Sequence, residues 1–181
     1  MKKLNSDAVK IIPLGGLEQI GMNITAIEYE DSIIVIDCGL AFPEDDMLGI
    51  DLVIPDVTYL KENADKVKGL VVTHGHEDHI GAIPYIEKEF NMPIYATKLT
   101  MGLIENKLKE HNLMNNTRRK VVKYGQNIIL GKFRIEFIKT NHSIADSAAL
   151  AIYTPAGLLV HTGDFKIDYT PVFGDMIDLQ R

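Results

Sequence analysis

The sequence contains one cysteine, no tryptophan and no long apolar run. A membrane-spanning helix needs about 18 or more consecutive apolar residues, so no span is predicted. The single cysteine, Cys38, excludes an internal disulfide, which is typical of proteins in a reducing compartment. Lys10 and Pro13 interrupt the first apolar stretch, so a secretory signal peptide is not predicted either. We therefore expect a cytoplasmic protein.

An excess of basic residues is also absent. The chain has 19 Lys and Arg against 25 Asp and Glu, which gives a formal net charge of −6. Proteins that bind nucleic acid usually carry a basic surface, so this charge counts mildly against a nucleic-acid substrate. Bound metal ions would add positive charge where a phosphate would lie. Net charge alone therefore does not decide the functional class.

The pattern of apolar residues predicts one α/β domain over residues 1–181, with a mixed β-sheet and flanking helices. Runs rich in Val and Ile predict strands at residues 9–12, 24–29, 33–36, 70–72, 128–130, 135–138, 148–153 and 158–160. Turn residues at 30–31 and 155–157 predict two hairpins. Helical periodicity covers residues 80–90 and 98–111, with a shorter helix at 58–63.

Four candidate metal ligands lie together at residues 73–79, between a predicted strand and a predicted helix. Residues two apart in an extended loop point to the same side, so His74 and His76 can bind one ion. Asp78 and His79 follow where the chain bends into the helix, and would face a second position. Imidazole and carboxylate ligands together suit zinc. The alternative is a polar loop with Asp78 as helix N-cap, but a cap needs one side chain rather than four.

Three further candidates each follow a predicted strand. Asp37 lies before Gly39, His142 lies in the segment 140–143, and Asp164 follows a glycine. Taken singly, each has an ordinary structural interpretation, because aspartate near glycine is common in turns and an isolated histidine is more often structural. Their combination with the loop at 73–79 is what favours a metal site.

The order of these motifs resembles that of the metallo-β-lactamase superfamily, whose fold is an αββα sandwich. The resemblance implies two zinc ions with six ligands: His74, His76 and His142 for one ion, Asp78 and His79 for the other, and Asp164 between them. Asp37 matches the first motif of that superfamily, where the aspartate orients the ligands without binding the metal.

Within that superfamily, the chain is similar to the ribonuclease J family of β-CASP ribonucleases. The similar segments are residues 14–23, 37–43, 51–56, 74–85, 141–144 and 161–168. Met22 departs from the family, which often has lysine there. The resemblance also implies that this chain is the N-terminal part of a longer protein. The β-CASP domain, the remainder of the metallo-β-lactamase domain, a further histidine ligand and the C-terminal region would lie outside it.

The resemblance implies a zinc-dependent ribonuclease that hydrolyses RNA phosphodiester bonds as a 5′-to-3′ exonuclease and as an endonuclease, in RNA processing and decay, including rRNA processing. The expected nucleophile is a hydroxide activated by two metal ions, with Asp78 among the groups that hold it. The expected substrate is single-stranded RNA with a 5′-monophosphate, and the parent protein is expected to form homo-oligomers.

Two alternatives remain open. A small-molecule hydrolase of the same superfamily, acting on thioesters or lactams, would need the same metal motif. The isolated 181 residues would not be an enzyme at all if a ligand is missing, and an uncovered apolar face would then promote self-association.

Four residues near these motifs are expected to be structural rather than catalytic. Cys38 is predicted to be a buried apolar side chain, and His111 to favour the end of its helix. His161 is expected to pack at a strand end. Glu77 is expected to point away from the histidines on either side of it.

Overall fold

The computed structural model describes residues 8–172 and 174–181, so the first seven residues of the predicted domain lie outside it. The strands are β1 (Lys10–Gly15), β2 (Ile24–Tyr29), β3 (Ser32–Ile36), β4 (Val67–Val71), β5 (Ile94–Ala96), β6 (Arg119–Val121), β7 (Asn127–Leu130), β8 (Phe133–Lys139), β9 (Ala148–Thr154) and β10 (Gly157–His161). The helices are α1 (Thr58–Glu62), α2 (Glu77–Ile80), α3 (Ile83–Glu89) and α4 (Lys98–Glu110), with a 3₁₀ turn at Ala64–Lys66.

Two sheets form the centre of the fold. The first has the order β1-β2-β3-β4-β5-β6, in which β1, β2 and β3 pair antiparallel and β3 to β6 pair parallel. The second has the order β10-β9-β8-β7 and is antiparallel throughout. The predicted mixed sheet is therefore confirmed.

Strand β3 separates two hydrophobic cores because its successive side chains point to opposite faces. Ile33 and Val35 lie in the core between the first sheet and the helices. Ile34 and Ile36 lie in the core between the two sheets, with Phe133 of β8. All four described helices contribute to the first of these cores. The described residues therefore form three layers, in the order helices, mixed sheet and antiparallel sheet.

Most of the predicted elements are present. All eight predicted strands and both hairpins are confirmed, the latter joining β2 to β3 and β9 to β10. The prediction missed β5 and β6, which are only three residues long and have no alternating apolar pattern of their own. These two strands are held by parallel pairing at the edge of the first sheet.

No described helix is long and apolar enough to span a lipid bilayer.

The helix predicted at residues 80–90 is present as α3, but it begins three residues later, at Ile83. The structure has α2 and α3, with a break at Gly81 and Ala82. In an unbroken helix, the Ala82 amide would donate to the carbonyl of Asp78. That carbonyl accepts from the Asn23 amide (2.9 Å), and the Ala82 amide donates to Cys38 (3.0 Å). These contacts, together with Pro84 in the first turn of α3, therefore end α2 after one turn.

Candidate metal centre

Four strands end beside the candidate centre, and each is followed by one of the predicted residues. Asp37 follows β3 and His74 comes after β4, both in the first sheet. His142 comes after β8 and Asp164 after β10, both in the second sheet. The amide of Ala148 in β9 donates to the Thr73 carbonyl (2.9 Å), which ties the histidine loop to the second sheet. The packing of the sheets therefore brings these loops to one edge.

Three histidines converge on one side of this cluster. Nε2 of His74 lies 3.1 Å from Nδ1 of His76, and Nε2 of His142 lies 3.2 Å from the same atom. One nitrogen from each of the three rings lies within 4.8 Å of the other two. His74 is fully buried, whereas the other two are partly exposed. Solvent therefore reaches the cluster past His76 and His142.

The remaining predicted residues lie on the other side. Nε2 of His79 lies 3.4 Å from Oδ2 of Asp78 and 3.7 Å from Oδ1 of Asp164. The second oxygen of Asp164, Oδ2, lies 3.7 Å from Nε2 of His142. Single ligand atoms of His74, His79 and Asp164 also lie within 4.8 Å of one another. The structure therefore brings all six predicted residues together, with Asp164 facing both halves.

Asp37 lies behind the cluster and is itself almost completely buried. Its Oδ2 lies 2.8 Å from Nδ1 of His79 and accepts from the Thr73 hydroxyl (2.8 Å), while its Oδ1 accepts from the Thr73 amide (2.7 Å). The same hydroxyl lies 3.0 Å from Nδ1 of His74. These bonds are satisfied when both histidines carry their hydrogen on Nδ1, which leaves each Nε2 as an acceptor facing the cluster.

Burial and charge shift the histidines in different directions. Burial, together with the nearby His79, lowers the pKa of His74 to about 3. Burial also lowers the pKa of His142. Burial works in the same direction on His79, but its hydrogen bond to Asp37 and the surrounding carboxylates outweigh that effect and raise its pKa. His74 and His142 are therefore held as neutral imidazoles, the form that binds a metal ion.

The donor atoms of this cluster fit a metal ion. Nδ1 of His76 lies within 3.2 Å of two other imidazole nitrogens, and neutral imidazoles cannot all donate to one another. A cation at their centre would accept all three lone pairs, as in the three-histidine sites of zinc proteins. The carboxylates of Asp78 and Asp164 add the negative charge that divalent ions require. The cluster therefore indicates metal binding.

Three of the four residues expected to be structural have contacts or burial that fit this prediction. Glu77 pairs with Lys107 (2.6 Å), and Cys38 is buried, with burial raising the pKa of its thiol. His111 packs on the ring of Tyr85 with 5.0 Å between centroids. The structure thus confirms the prediction that Cys38 is a buried side chain.

Sequence reasoning missed two residues that contact the cluster. Thr73 links Asp37 to His74, and Asn23 contacts Asp78 and His79. The position of Thr73 directly before the first histidine was the available signal. Asn23 lies in the segment 14–23, which carried the family resemblance without a chemical role.

Comparison with known proteins also favours metal binding by this cluster. The model of the Metallo-beta-lactamase superfamily matches residues 20–172. The chain is 52% identical to Ribonuclease J of Synechocystis sp. over 99% of its own length and 28% of that protein. It is 48% identical to Ribonuclease J 1 of Streptococcus pyogenes over 98% of its length and 32% of that protein. The predicted resemblance to ribonuclease J is confirmed, and the chain spans about a third or less of these relatives.

A solved structure shows the same fold. The metallo-beta-lactamase fold protein YhfI from Bacillus subtilis superimposes with a TM-score of 0.59 at 18% identity. The match covers 86% of this chain and 62% of that protein. At this level of identity the likeness concerns the fold, and it confirms the predicted fold class.

Proposed function

Since this chain belongs to the metallo-β-lactamase superfamily, we propose that its histidine and aspartate cluster is the two-metal centre of a ribonuclease. The observation that carries the proposal is the convergence of six donor side chains from three separate loops, those after β4, β8 and β10. The relatives named ribonuclease J, at 48% and 52% identity, favour RNA as the substrate. Because the chain spans only part of them, the activity belongs to the proposed full-length protein.

The donor set favours zinc in both positions. We assign His74, His76 and His142 to one ion, Asp78 and His79 to the other, and Asp164 to both. Asp164 presents one oxygen to His79 and the other to His142 at equal distances of 3.7 Å, which suits a bridging role. Imidazole nitrogen combined with carboxylate oxygen is the usual ligand set of catalytic zinc, whereas magnesium and calcium favour oxygen alone.

The side chains around the centre would prepare it for hydrolysis. Bound zinc ions would supply a water molecule of lowered pKa and positive charge opposite the phosphate. Asp37 and Thr73 hold the histidine tautomers, so that the Nε2 lone pairs point inward. Asp164, with a side chain that is 48% exposed, lies on the open side of the cluster. Substrate would therefore approach past Asp164 and His142.

The surroundings of His142 offer space for a phosphate-bearing chain. A cavity of about 270 Å³ opens beside it, with Lys139 and Lys166 in its wall. Each lysine pairs with an aspartate in this structure, Asp175 and Asp168 respectively. The cavity wall also contains Asp146 and Asp168, so the lysines could contact a phosphate only if it displaced their aspartate partners. We extend the proposal to the full-length protein, with 5′-to-3′ exonuclease and endonuclease activity on RNA that carries a 5′-monophosphate. We also propose a role in RNA and rRNA processing, a homo-oligomeric state and a cytoplasmic location.

Substrate choice tests the proposal. Zinc-loaded full-length protein is incubated separately with 5′-monophosphorylated RNA, a glutathione thioester and a lactam. We expect hydrolysis of RNA only, and we expect His76→Ala to lose nearly all of it while far-UV circular dichroism is unchanged. His111→Ala is the matched control, because His111 contacts Tyr85 outside the cluster. Hydrolysis of the small molecules alone would instead favour the small-molecule hydrolase.

The isolated chain offers a second comparison. We expect the 181 residues to bind zinc, because all six ligands lie within them, but to hydrolyse no RNA if a further ligand lies elsewhere in the parent. Elemental analysis by mass spectrometry of the chain and of the full-length protein measures the metal content of each. RNA hydrolysis by the isolated chain would contradict this expectation.

A further inference from the structure

Asn23 is tied to the metal-site loops through its main chain. Its amide donates to the carbonyl of Asp78 (2.9 Å), and its carbonyl accepts from the amide of Gly39 (3.0 Å). The next residue, Ile24, is buried and begins β2. The position of Asn23 is therefore set by the first sheet rather than by the exposed loop that precedes it.

The side chain of Asn23 contacts both ligands proposed for the second ion. Its Nδ2 lies 3.1 Å from Oδ2 of Asp78, 3.1 Å from Nε2 of His79 and 3.2 Å from the Asp78 carbonyl. Nδ1 of His79 carries the hydrogen that faces Asp37, so Nε2 is an acceptor. Nδ2 of Asn23 has two hydrogens, so it can donate to the carboxylate and to the main-chain carbonyl of Asp78 and leave the Nε2 lone pair of His79 for a metal ion.

Two glycines leave the room that this arrangement requires. A Cβ atom at Gly39 would lie 1.6 Å from the carbonyl oxygen of Asp78, where no side chain can fit. A Cβ atom at Gly16, where φ is +82°, would lie 2.9 Å from Oδ1 of Asn23. The close approach of these loops therefore depends on glycine on both sides of Asn23.

We propose that Asn23 is a positioning residue for the second metal ion. Its amide restricts rotation of the Asp78 carboxylate and holds that group beside Nε2 of His79. A carboxylate has two oxygens, so a hydrogen bond to Oδ2 leaves Asp78 able to bind an ion. This inference rests on the proposed function, because it requires that Asp78 and His79 bind a metal. It gives the segment 14–23 a chemical role.

A purely structural role would have a different consequence. If Asn23 only fastened its loop to α2, its loss would lower stability and leave the two metal affinities in their original ratio. A positioning role requires a selective effect on the second ion. Removing groups that orient metal ligands typically costs about 10- to 100-fold in affinity.

The test compares Asn23→Ala with Asn63→Ala in the full-length protein. Asn63 also donates from Nδ2 to a main-chain carbonyl, that of Tyr59 (2.9 Å), but lies beyond the end of α1. Metal-free protein is titrated with Zn²⁺ against a chromophoric chelator, and separately with Co²⁺ while the visible spectrum is recorded. For Asn23→Ala we expect about 10- to 100-fold weaker binding of the second ion. We also expect an altered spectrum for the second cobalt equivalent, and a first dissociation constant close to that of the parent.

Other results would overturn the inference. A second dissociation constant equal in Asn23→Ala and the parent would show that Asn23 does not position the ligands. Equal weakening by Asn63→Ala would show a general loss of stability instead. A parent protein that binds no second ion would overturn the proposed function as well, which separates the two failures.

Discussion

Oδ2 of Asp37 lies 2.8 Å from Nδ1 of His79, and both side chains are almost completely buried. A carboxylate in this position accepts the hydrogen of Nδ1 and thereby fixes both the tautomer and the orientation of the ring. Through the Thr73 hydroxyl, the same carboxylate also orients His74. One aspartate that is not itself among the proposed ligands therefore supports both halves of the candidate centre.

Replacing that aspartate tests this role. Asparagine has one side-chain oxygen where aspartate has two. In Asp37→Asn, the side-chain NH₂ group would face either Nδ1 of His79 or the main-chain amide of Thr73, and that donor would lose its acceptor. We expect zinc affinity to fall by about 10- to 100-fold, measured by isothermal titration calorimetry. Asp65→Asn, at an exposed carboxylate outside the cluster, should leave zinc affinity unchanged. Parental affinity in Asp37→Asn would contradict the assigned role.

Asp164 is expected to affect both metal positions at once. Its oxygens face His79 and His142 at 3.7 Å each, so Asp164→Ala removes a ligand from both ions. We expect the full-length variant to retain less than one tightly bound zinc per chain after dialysis, measured by mass spectrometry, and to lose RNA hydrolysis. Asp65→Ala, at an exposed carboxylate outside the cluster, is the control. Two retained zinc ions in Asp164→Ala would exclude a bridging role.

Gly39 is expected to tolerate no side chain. A Cβ atom there would lie 1.6 Å from the oxygen and 2.1 Å from the carbon of the Asp78 carbonyl, and backbone cannot move aside cheaply. Overpacking usually costs about 1–3 kcal/mol, and we expect Gly39→Ala to reach or exceed the upper end of that range. Gly102→Ala in α4 meets nothing within 4 Å. That control should raise the free energy of unfolding by about 0.5–1 kcal/mol, because alanine favours helix. Urea unfolding measures both, and equal stability of the two variants would contradict the prediction.

Glu87 is expected to make stability depend on pH. Its side chain is buried in α3, and one carboxylate oxygen accepts from the Met92 amide (3.2 Å). The other has no hydrogen-bond partner among the described residues. Burial, opposed in part by these contacts and by Arg118, raises the pKa of Glu87 from 4.5 to about 7. Between those values the folded state binds more protons than the unfolded state, so stability falls as pH rises.

The size of that effect follows from the shift in pKa. At about 1.4 kcal/mol per pKa unit, the loss between pH 4.5 and pH 7 is at most about 3 kcal/mol. Glu87→Gln should remove this contribution and be more stable than the parent above pH 7, by urea unfolding over a pH series. Glu110→Gln, at an exposed position near the end of α4, should follow the parent. A Glu87→Gln curve parallel to that of the parent would contradict the prediction.

Local patterns predicted eight of the ten described strands and the first four ligands, but not the break between α2 and α3. The apolar spacing at residues 80–90 is that of one helix, yet α2 ends at Ile80. Pro84 was a local signal for a break, because it has no amide hydrogen to donate to Ile80. Contacts with distant segments fix its position, since the Asp78 carbonyl accepts from the Asn23 amide and the Ala82 amide donates to Cys38. A hydrogen bond to a residue far along the chain leaves no periodic signal in the local sequence.

The order of residues was enough to identify the kinds of donor atom and their positions after strands, because residues 73–79 contain four of them and each later candidate follows an apolar run. The meeting of His142 and Asp164 with His74 at one edge became visible only in the packed fold. That arrangement depends on the face-to-face packing of two sheets, driven by buried side chains such as Ile34 and Phe133. Apolar burial has no direction along the chain, so it can unite loops that local sequence leaves independent.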